Sequence, residues 1–563
     1  MKKTLYTLLA AAALFAPSTG CIEEIDPQTN IVTVNQAVDA PNGYSNFVSA
    51  LTSITGQFFY WPSKEYCYDF GYPAFYLCRD VMGSDIAYTY DNWWSSWAFC
   101  TQALGPRYAV CQMPWTVYYS WIKNCNTVIG IGGEEPEGEH VSGSGIAYAM
   151  RAMMYMDLAR MFAEKPYSLD KNDITVPIVT ESTSLSDLAH NPRATNEKMW
   201  AFILEDLDKA EKLLAGYKRS NVYTPDVSVV YGLKARAYQW MGDWPNAEKY
   251  AKEAQAGYTA LTGDQYNDRI TGFNTPNAAW LMGTTFKSDD PTILNNDGDS
   301  SWGSAMAIEI FHQGGAGCGY ASNYGQQLAI DYHLYQTIPS TDFRKLAYID
   351  FSIDGMYDEE GNPTDEAIEL CSKYSDYPEE LATIPQAEAY AYGIGGLSTK
   401  FRVAGGKAGR ENQYVGFVMA VPMMRVEEMM LIEAEAAGMQ NEANGIALLT
   451  NFAKTRDPQY VYGTHNEAYG NPDNTPFQNE VWWQRRVELW GEGQSMFDYK
   501  RYQKCIIRSY EGTNHLDGYQ WNTDKTPQWM TFCIGGTEPE YNYDLIQNPV
   551  PVAPVGNSEP HVW

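Results

Sequence analysis

Apolar residues recur at helical spacing through two long stretches of the chain. AYAMRAMMYMDLARMFA, from Ala147, is apolar all round and predicts a deeply buried helix. NEKMWAFILEDLDKAEKLLAG, from Asn196, confines its apolar residues to one face and sets carboxylate and lysine pairs on the other, which predicts an amphipathic helix. In VVYGLKARAYQWMGDWPNAEKYAKEAQ, from Val229, the positions Tyr231, Ala235, Tyr238, Ala247, Ala251 and Ala254 are separated by 4, 3, 9, 4 and 3 residues. That is the tetratricopeptide spacing, in which small residues let two antiparallel helices approach closely and Gly242-Asp243 supplies the turn. One such pair cannot bury its own face, so neighbours are required. MMRVEEMMLIEAEAAGMQNEANGIALLTNFAKTR, from Met423, reads as a weaker version: helix, Gly turn, helix.

Over about residues 60–125 and 257–420 this period gives way to aromatic, Gly, Asn, Asp and Pro residues, as in NTPNAAW, NNDGDSSWG and HQGGAGCGYASNYGQQ. Long irregular segments lie on surfaces and commonly carry binding. The predicted fold is therefore mainly α: tetratricopeptide-like helix pairs form a scaffold over about 145–256 and 421–505, with a large irregular half facing the ligand.

The first apolar run has another purpose. Lys2 and Lys3 precede Leu8 to Phe15, too short to span a bilayer, and Ser18-Thr19-Gly20 leads into Cys21. Residues 1–20 are predicted to be a secretory signal ending at a lipobox, although Ser18 stands where Leu is usual, leaving 21–563 as a single domain lipidated at Cys21. No later run reaches about 18 apolar residues, so acyl chains would be the only membrane attachment.

Composition excludes several partners. With Asp+Glu 69 against Lys+Arg 39, the formal charge of −30 repels nucleic acid and acidic membrane surfaces. At 45% apolar and 19% charged residues, the chain is too apolar to be a disordered acidic one. Nine cysteines follow Cys21, and an odd number cannot all pair within the chain. Cys67, Cys78, Cys100, Cys111 and Cys125 crowd one region without a C-x-x-C pair or a His partner, which fits buried thiols or one or two disulfides and argues against zinc.

Signatures of chemistry are missing. There is no HExxH, GxSxG or GxxxxGK[ST], and the seven histidines are scattered. The glycines around Cys318 have neither a preceding apolar strand nor a following Lys and read as a surface loop. Asn295 to Ser300 carries the oxygen density that calcium favours but lacks the Glu that completes an EF-hand; a turn is the reading, with a structural calcium as the alternative. No other cofactor is expected.

Aromatic residues are in excess between Tyr88 and Trp121. Of these 34 residues 11 are aromatic, against about five at the chain average of 14%, so the surplus requires a cause. Trp115, Tyr119 and Ile122 share one helix face and are assigned to the core. TYDNWWSSW lacks a clean period and mixes Trp93, Trp94 and Trp97 with hydrogen-bonding residues. Indoles can stack on the C–H faces of a pyranose while Asn, Asp and Tyr take its hydroxyls, so ligand contact and packing both remain open for this loop.

Several of these marks recur together in a known family. The lipobox, WTVYYSWIKNCNTVIG from Trp115, the Ala147 helix, the repeat at Val229, STDFR at Ser340, STKFR at Ser398, VPMMRVEEMMLIEAEA at Val421 and QRRVELWGEGQSMFDYKR at Gln484 resemble, in this order, the SusD/RagB-like outer-membrane lipoproteins. The last motif keeps Arg485, Arg486, Glu488, Leu489, Glu492, Gly493, Phe497, Asp498 and Arg501 and departs at Gln484, Gly491 and Ser495. Its charges read most simply as ion pairs tying a helix to the repeats. The resemblance implies a non-enzymatic, nutrient-binding lipoprotein at the extracellular face of the outer membrane. It would capture an oligosaccharide and act as the lid of a SusC-like TonB-dependent transporter barrel, and acidic residues after Cys21 look like its export tag. It implies ligand contacts from the indole loop and from later irregular segments, which makes Tyr90, Asn92, Trp93, Trp94, Trp97, Trp302, Tyr320 and Tyr324 the candidate site. Peptide capture is the alternative and a secreted hydrolase a remote third.

Overall fold

A computed structural model describes residues 38, 40 and 42–563, except 62–65, 89–92, 296–299, 308–327, 352–357, 359–363, 366–394, 553, 555 and 557. Two compact units divide the chain, one ending at Phe47 and the other running from Val48 to Trp563.

The scaffold of the second unit is helical. The principal helices are α1 (Tyr72–Asp80), α2 (Ala109–Gly132), α3 (His140–Phe162), α4 (Asn196–Leu213), α5 (Val227–Met241), α6 (Trp244–Ala254), α7 (Val426–Gln440), α8 (Glu442–Arg456), α9 (Pro476–Glu488) and α10 (Ser495–Tyr502). Packing follows chain order, α2 on α3, α3 on α4, α5 on α6, α6 on α7, α7 on α8, and α9 lies across α7. Among the described residues, no helix is long and apolar enough to cross a membrane.

The sequence explains this order locally. Every residue of α3 from Gly143 to Phe162 is buried, as its all-round apolar pattern requires. Thr195 caps α4 by accepting from the Lys198 N–H; Met199, Trp200, Ile203 and Leu207 face inward, while Glu205 and Lys209 pair at 2.7 Å on the outer face. Asp226 caps α5, Gly242 ends it at φ 74°, and Asp243 at once caps α6. Ala235, Ala247, Ala251 and Ala254 are fully buried, as close approach of the two helices demands.

The second predicted pair forms differently from its reading. Gly438 does not turn the chain but lies inside α7; Asn441 makes the turn and caps α8. Gly438 and Gly445 instead let α7 and α8 press together, since a Cβ on Gly445 would lie 2.3 Å from the Cα of Gly438. Phe477 of α9 fills the remaining space, 2.2 Å from where a Cβ on Gly438 would sit.

Short strands clip the less regular segments to this scaffold. β1 (Ile86–Tyr88) pairs antiparallel with β3 (Leu328–Ile330), Ile86 opposite Ile330. β2 (Trp280–Thr285) pairs antiparallel with β4 (Ala420–Arg425), with an irregular register near Met282. The stretch 60–125, read as irregular, contains α1 and much of α2.

The charged motif that starts at the end of α9 forms ion pairs both within itself and to other elements. Arg485 meets Asp498 at 2.6 Å, and Arg486 meets Asp85 at 2.8 Å. Glu488 lies among Arg344, Arg425 and Arg456, and Glu492 between Lys400 and Arg425. The departures have clear places: Gln484 Oε1 accepts from Arg344, Ser495 Oγ donates to Asp85, and Gly491, at φ 74°, leaves room for Phe401.

Candidate functional site

The indole loop follows β1 and ends in a single helical turn, Ser95–Ala98. Residues three apart share a face of such a turn, so Trp94 and Trp97 point the same way and Trp93 does not. Trp94 is 4% exposed and Trp97 1%, whereas Trp93 is 41% exposed. Trp97 packs edge-on to Tyr68, with ring centroids 5.3 Å apart, and Trp94 packs against Phe70 at 6.1 Å.

Trp94 and Trp97 therefore belong to the core, correcting their assignment to the ligand. Trp302 is corrected likewise. It opens a short helix capped by Ser301, is 0% exposed and sits edge-on between Tyr76 at 6.0 Å and Phe401 at 5.1 Å, with no ring face open. Tyr90, Asn92, Tyr320 and Tyr324 lie outside the described residues, as do Cys21, the glycine-rich segment around Cys318 and residues 296–299 of the candidate calcium turn. Among the described residues no group of His, Cys, Asp and Glu is arranged to hold a metal. The described cysteines are all buried, and Cys78, Cys100, Cys111, Cys125, Cys505 and Cys533 are free thiols.

Trp93 has neighbours that the sequence reading missed. Tyr66 stands edge-on to it at 6.5 Å and Tyr68 lies at 6.3 Å. Trp61, half-buried, lies 4.4 Å from Tyr66 and 4.2 Å from Tyr60. Together Tyr60, Trp61, Tyr66 and Trp93 form a partly exposed aromatic surface on a floor of Tyr68, Trp94 and Trp97. A signal was available: seven of the thirteen residues from Phe58 to Phe70 are aromatic, a higher density than in the stretch that was singled out.

One buried carboxylate builds this surface. Asp69 accepts the main-chain N–H groups of Phe59 at 3.0 Å, Tyr60 at 3.0 Å and Trp61 at 2.8 Å. Burial pushes its pKa up, opposed by those three N–H donors. The loop carrying Tyr60 and Trp61 is thus fixed from beneath through its backbone, leaving the rings to face outward. Ser300 Oγ donates to the Tyr66 carbonyl at 3.0 Å and ties in a later segment. The turn bearing Trp93 is anchored from its other end, where Arg508 donates to the Ala98 carbonyl at 2.6 Å. An arrangement of fixed, partly exposed rings with phenolic hydroxyls suits a ligand having apolar faces and hydroxyl edges.

Known proteins share this chain's fold and sequence pattern. Residues 75–239 match a family described as "Starch-binding associating with outer membrane", and residues 247–557 match the SusD family. SusD-like protein P38 of Formosa agariphila is 23% identical over 454 residues, which is 78% of this chain and 81% of that protein. A SusD-like carbohydrate binding protein from Bacteroides vulgatus superposes with a TM-score of 0.68 at 19% identity, covering 89% of this chain and 96% of that one. Surface glycan-binding protein A from Bacteroides thetaiotaomicron, solved in complex with laminarihexaose, gives a TM-score of 0.59 at 15% identity over 90% of this chain and 98% of that one. At these identities the structural likeness is one of fold. Tyr60, Trp61 and Tyr66 precede both matched ranges.

Proposed function

Because the chain belongs to the SusD family, we propose that it is a carbohydrate-binding protein that captures an oligosaccharide on the surface formed by Tyr60, Trp61, Tyr66 and Trp93. The observation that carries this reading is the exposed indole of Trp93 beside Tyr66 and Trp61, on a backbone pinned by Asp69. Rings held in place before the ligand arrives lose little freedom on binding, so stacking energy appears as affinity. Two solved relatives, a carbohydrate binding protein and one in complex with laminarihexaose, support the ligand class. The protein's task is capture and transfer, without chemistry on the sugar. It would sit at the extracellular face of the outer membrane on a lipid at Cys21 and deliver its ligand to a SusC-like TonB-dependent barrel, acting as its lid. A ligand held loosely suits such a handover.

Retention of the protein on immobilised glycans, laminarin and starch included, beside a peptide mixture tests the reading. Replacing Trp93 or Trp61 by Ala is expected to weaken glycan binding about five- to hundredfold, the loss of about 1–3 kcal/mol that removal of one stacking ring brings. Retention by peptides alone, or full glycan affinity in both variants, would refute it.

A further inference from the structure

A second cavity shares no residue with the aromatic surface. It opens between the loop from Asp457 to Glu467, helix α9 and Thr337–Thr341, with a volume of about 400 Å³. Glu480, fully buried on α9, shapes it by accepting the Tyr460 hydroxyl at 2.8 Å and the N–H groups of Gly463 at 3.2 Å and His465 at 3.0 Å. The same carboxylate meets Nδ1 of His465 at 2.8 Å, and the His465 ring stacks on Trp483 at 3.4 Å. The loop is thereby bound to the helix, and the chain's own hydrogen bonds hold the cavity wall in place.

Its electrostatics are unbalanced. Asp457 lines the cavity and is 3% exposed; one of its oxygens accepts the Gln459 N–H at 2.9 Å, and among the described residues no cation pairs with it. Glu467, also in the lining, has one oxygen on Nε2 of His333 at 2.6 Å. Arg486, which lines the cavity as well, is already paired with Asp85 at 2.8 Å. A carboxylate this little exposed is a ready partner for a cation or a strong donor that enters the cavity. The cavity is the way by which one could arrive, and the chain's formal charge of −30 favours the approach of cations to the protein.

We propose that this cavity binds a small molecule bearing a protonated amine, its ammonium meeting Asp457 and Glu467 and its body lying against Tyr460 and Val461. The volume admits roughly one sugar ring or a dipeptide. Two sources offer that chemistry, an amino sugar and a peptide amine. Calorimetric titration of the full-length protein with glucosamine against glucose, and with Ala-Ala against N-acetyl-Ala-Ala, separates them. One amine is expected to bind saturably, with Kd about 1 mM or tighter and at least about tenfold tighter than its neutral counterpart. Asp457→Asn should weaken that binding at least tenfold while leaving glycan retention intact. Val461→Trp, a change at an exposed rim residue, should obstruct the cavity and decides the matter should Asp457→Asn not fold. Absence of binding by both amines at about 10 mM, equal binding of amine and neutral counterpart, or undiminished amine binding in the folded variants would overturn the proposal.

Discussion

Glu488 offers the sharpest test of how the scaffold is held. Its carboxylate, with no exposure, lies 3.1 Å from Nη1 of Arg425 and 3.3 Å from both Nη1 of Arg344 and Nε of Arg456. Lys400 completes the group, donating to Glu492 at 2.6 Å and to the carbonyls of Glu488 at 3.0 Å and Trp490 at 2.9 Å. Four cations, Arg344, Lys400, Arg425 and Arg456, thus face four anions, Asp342, Glu427, Glu488 and Glu492. Glu488→Gln preserves shape but leaves one positive charge in excess and turns an amide N–H₂ toward guanidinium groups. Breaking a buried pair in this way costs about 3–5 kcal/mol, against a total stability of about 5–15 kcal/mol for a typical domain. Thermal unfolding followed by circular dichroism should show a lowered midpoint. Adding Arg456→Leu, which removes the surplus charge, should recover part of the loss in a double-mutant cycle. A Glu488→Gln midpoint within about 1 °C of the native one would refute the argument, because at about 2.1 cal/mol/K per residue a loss of about 3 kcal/mol shifts the midpoint of a unit this long by roughly 3 °C.

Three further outcomes are expected. Gly445→Ala should destabilise by about 1–3 kcal/mol, measured by thermal melting, because its methyl would meet the α7 backbone at 2.3 Å and neither helix can yield alone. Trp97→Ala should cost about 3–5 kcal/mol of stability, whereas Trp93→Ala should leave the melting temperature nearly unchanged; the reverse order would mean that the inner and outer indoles have been confused. Burial alone would raise the pKa of Asp157, but Arg79, Arg160 and the Tyr72 hydroxyl hold it down at about 2. This contribution, on the order of 2–3 kcal/mol, is complete above the ordinary Asp pKa of about 4 and fades as pH falls toward 2, so Asp157→Asn should flatten the acid limb of a stability–pH curve.

The helical half was legible because its rules are local. The spacing from Tyr231 to Ala254 encodes a contact between neighbouring helices, and Gly242-Asp243 encodes the turn between them. At Gly438 the same reasoning failed for a physical reason. A glycine serves equally as a turn or as a place where backbones cross, and only the presence of Phe477 and Gly445 decides between these. The aromatic surface was harder to read for a similar reason. A single helical turn has no period long enough to show which of Trp93, Trp94 and Trp97 faces out, and the tie that presents Tyr60 and Trp61 comes from Asp69, whose acceptor role leaves no mark in the sequence. Trp302 was misplaced because an aromatic residue in a Gly- and Ser-rich segment looks exposed, although this one is enclosed by Tyr76 and Phe401 from elements far away in sequence.

The charged motif and the aromatic surface are mechanically joined. Asp80, at the end of α1, accepts the N–H groups of Gly493 at 2.8 Å and Ser495 at 3.0 Å, and Asp85, just before β1, takes Arg486. Arg508 then spans the remaining gap, donating to the carbonyls of Val81 at 2.8 Å, Gly83 at 2.7 Å and Ala98 at 2.6 Å. Both ends of the segment that carries Trp93 are therefore fastened to α9, α10 and the chain beyond them. Replacing Arg508 by Met would leave three buried carbonyls without a donor while touching none of the exposed rings. Since Trp93 would keep its side chain but lose the anchor of its turn, glycan affinity should fall in a variant that still melts cooperatively. Unchanged affinity in such a folded variant would show that the turn holds its place without Arg508, and that Asp69 and the packing of Trp94 and Trp97 suffice to position Trp93.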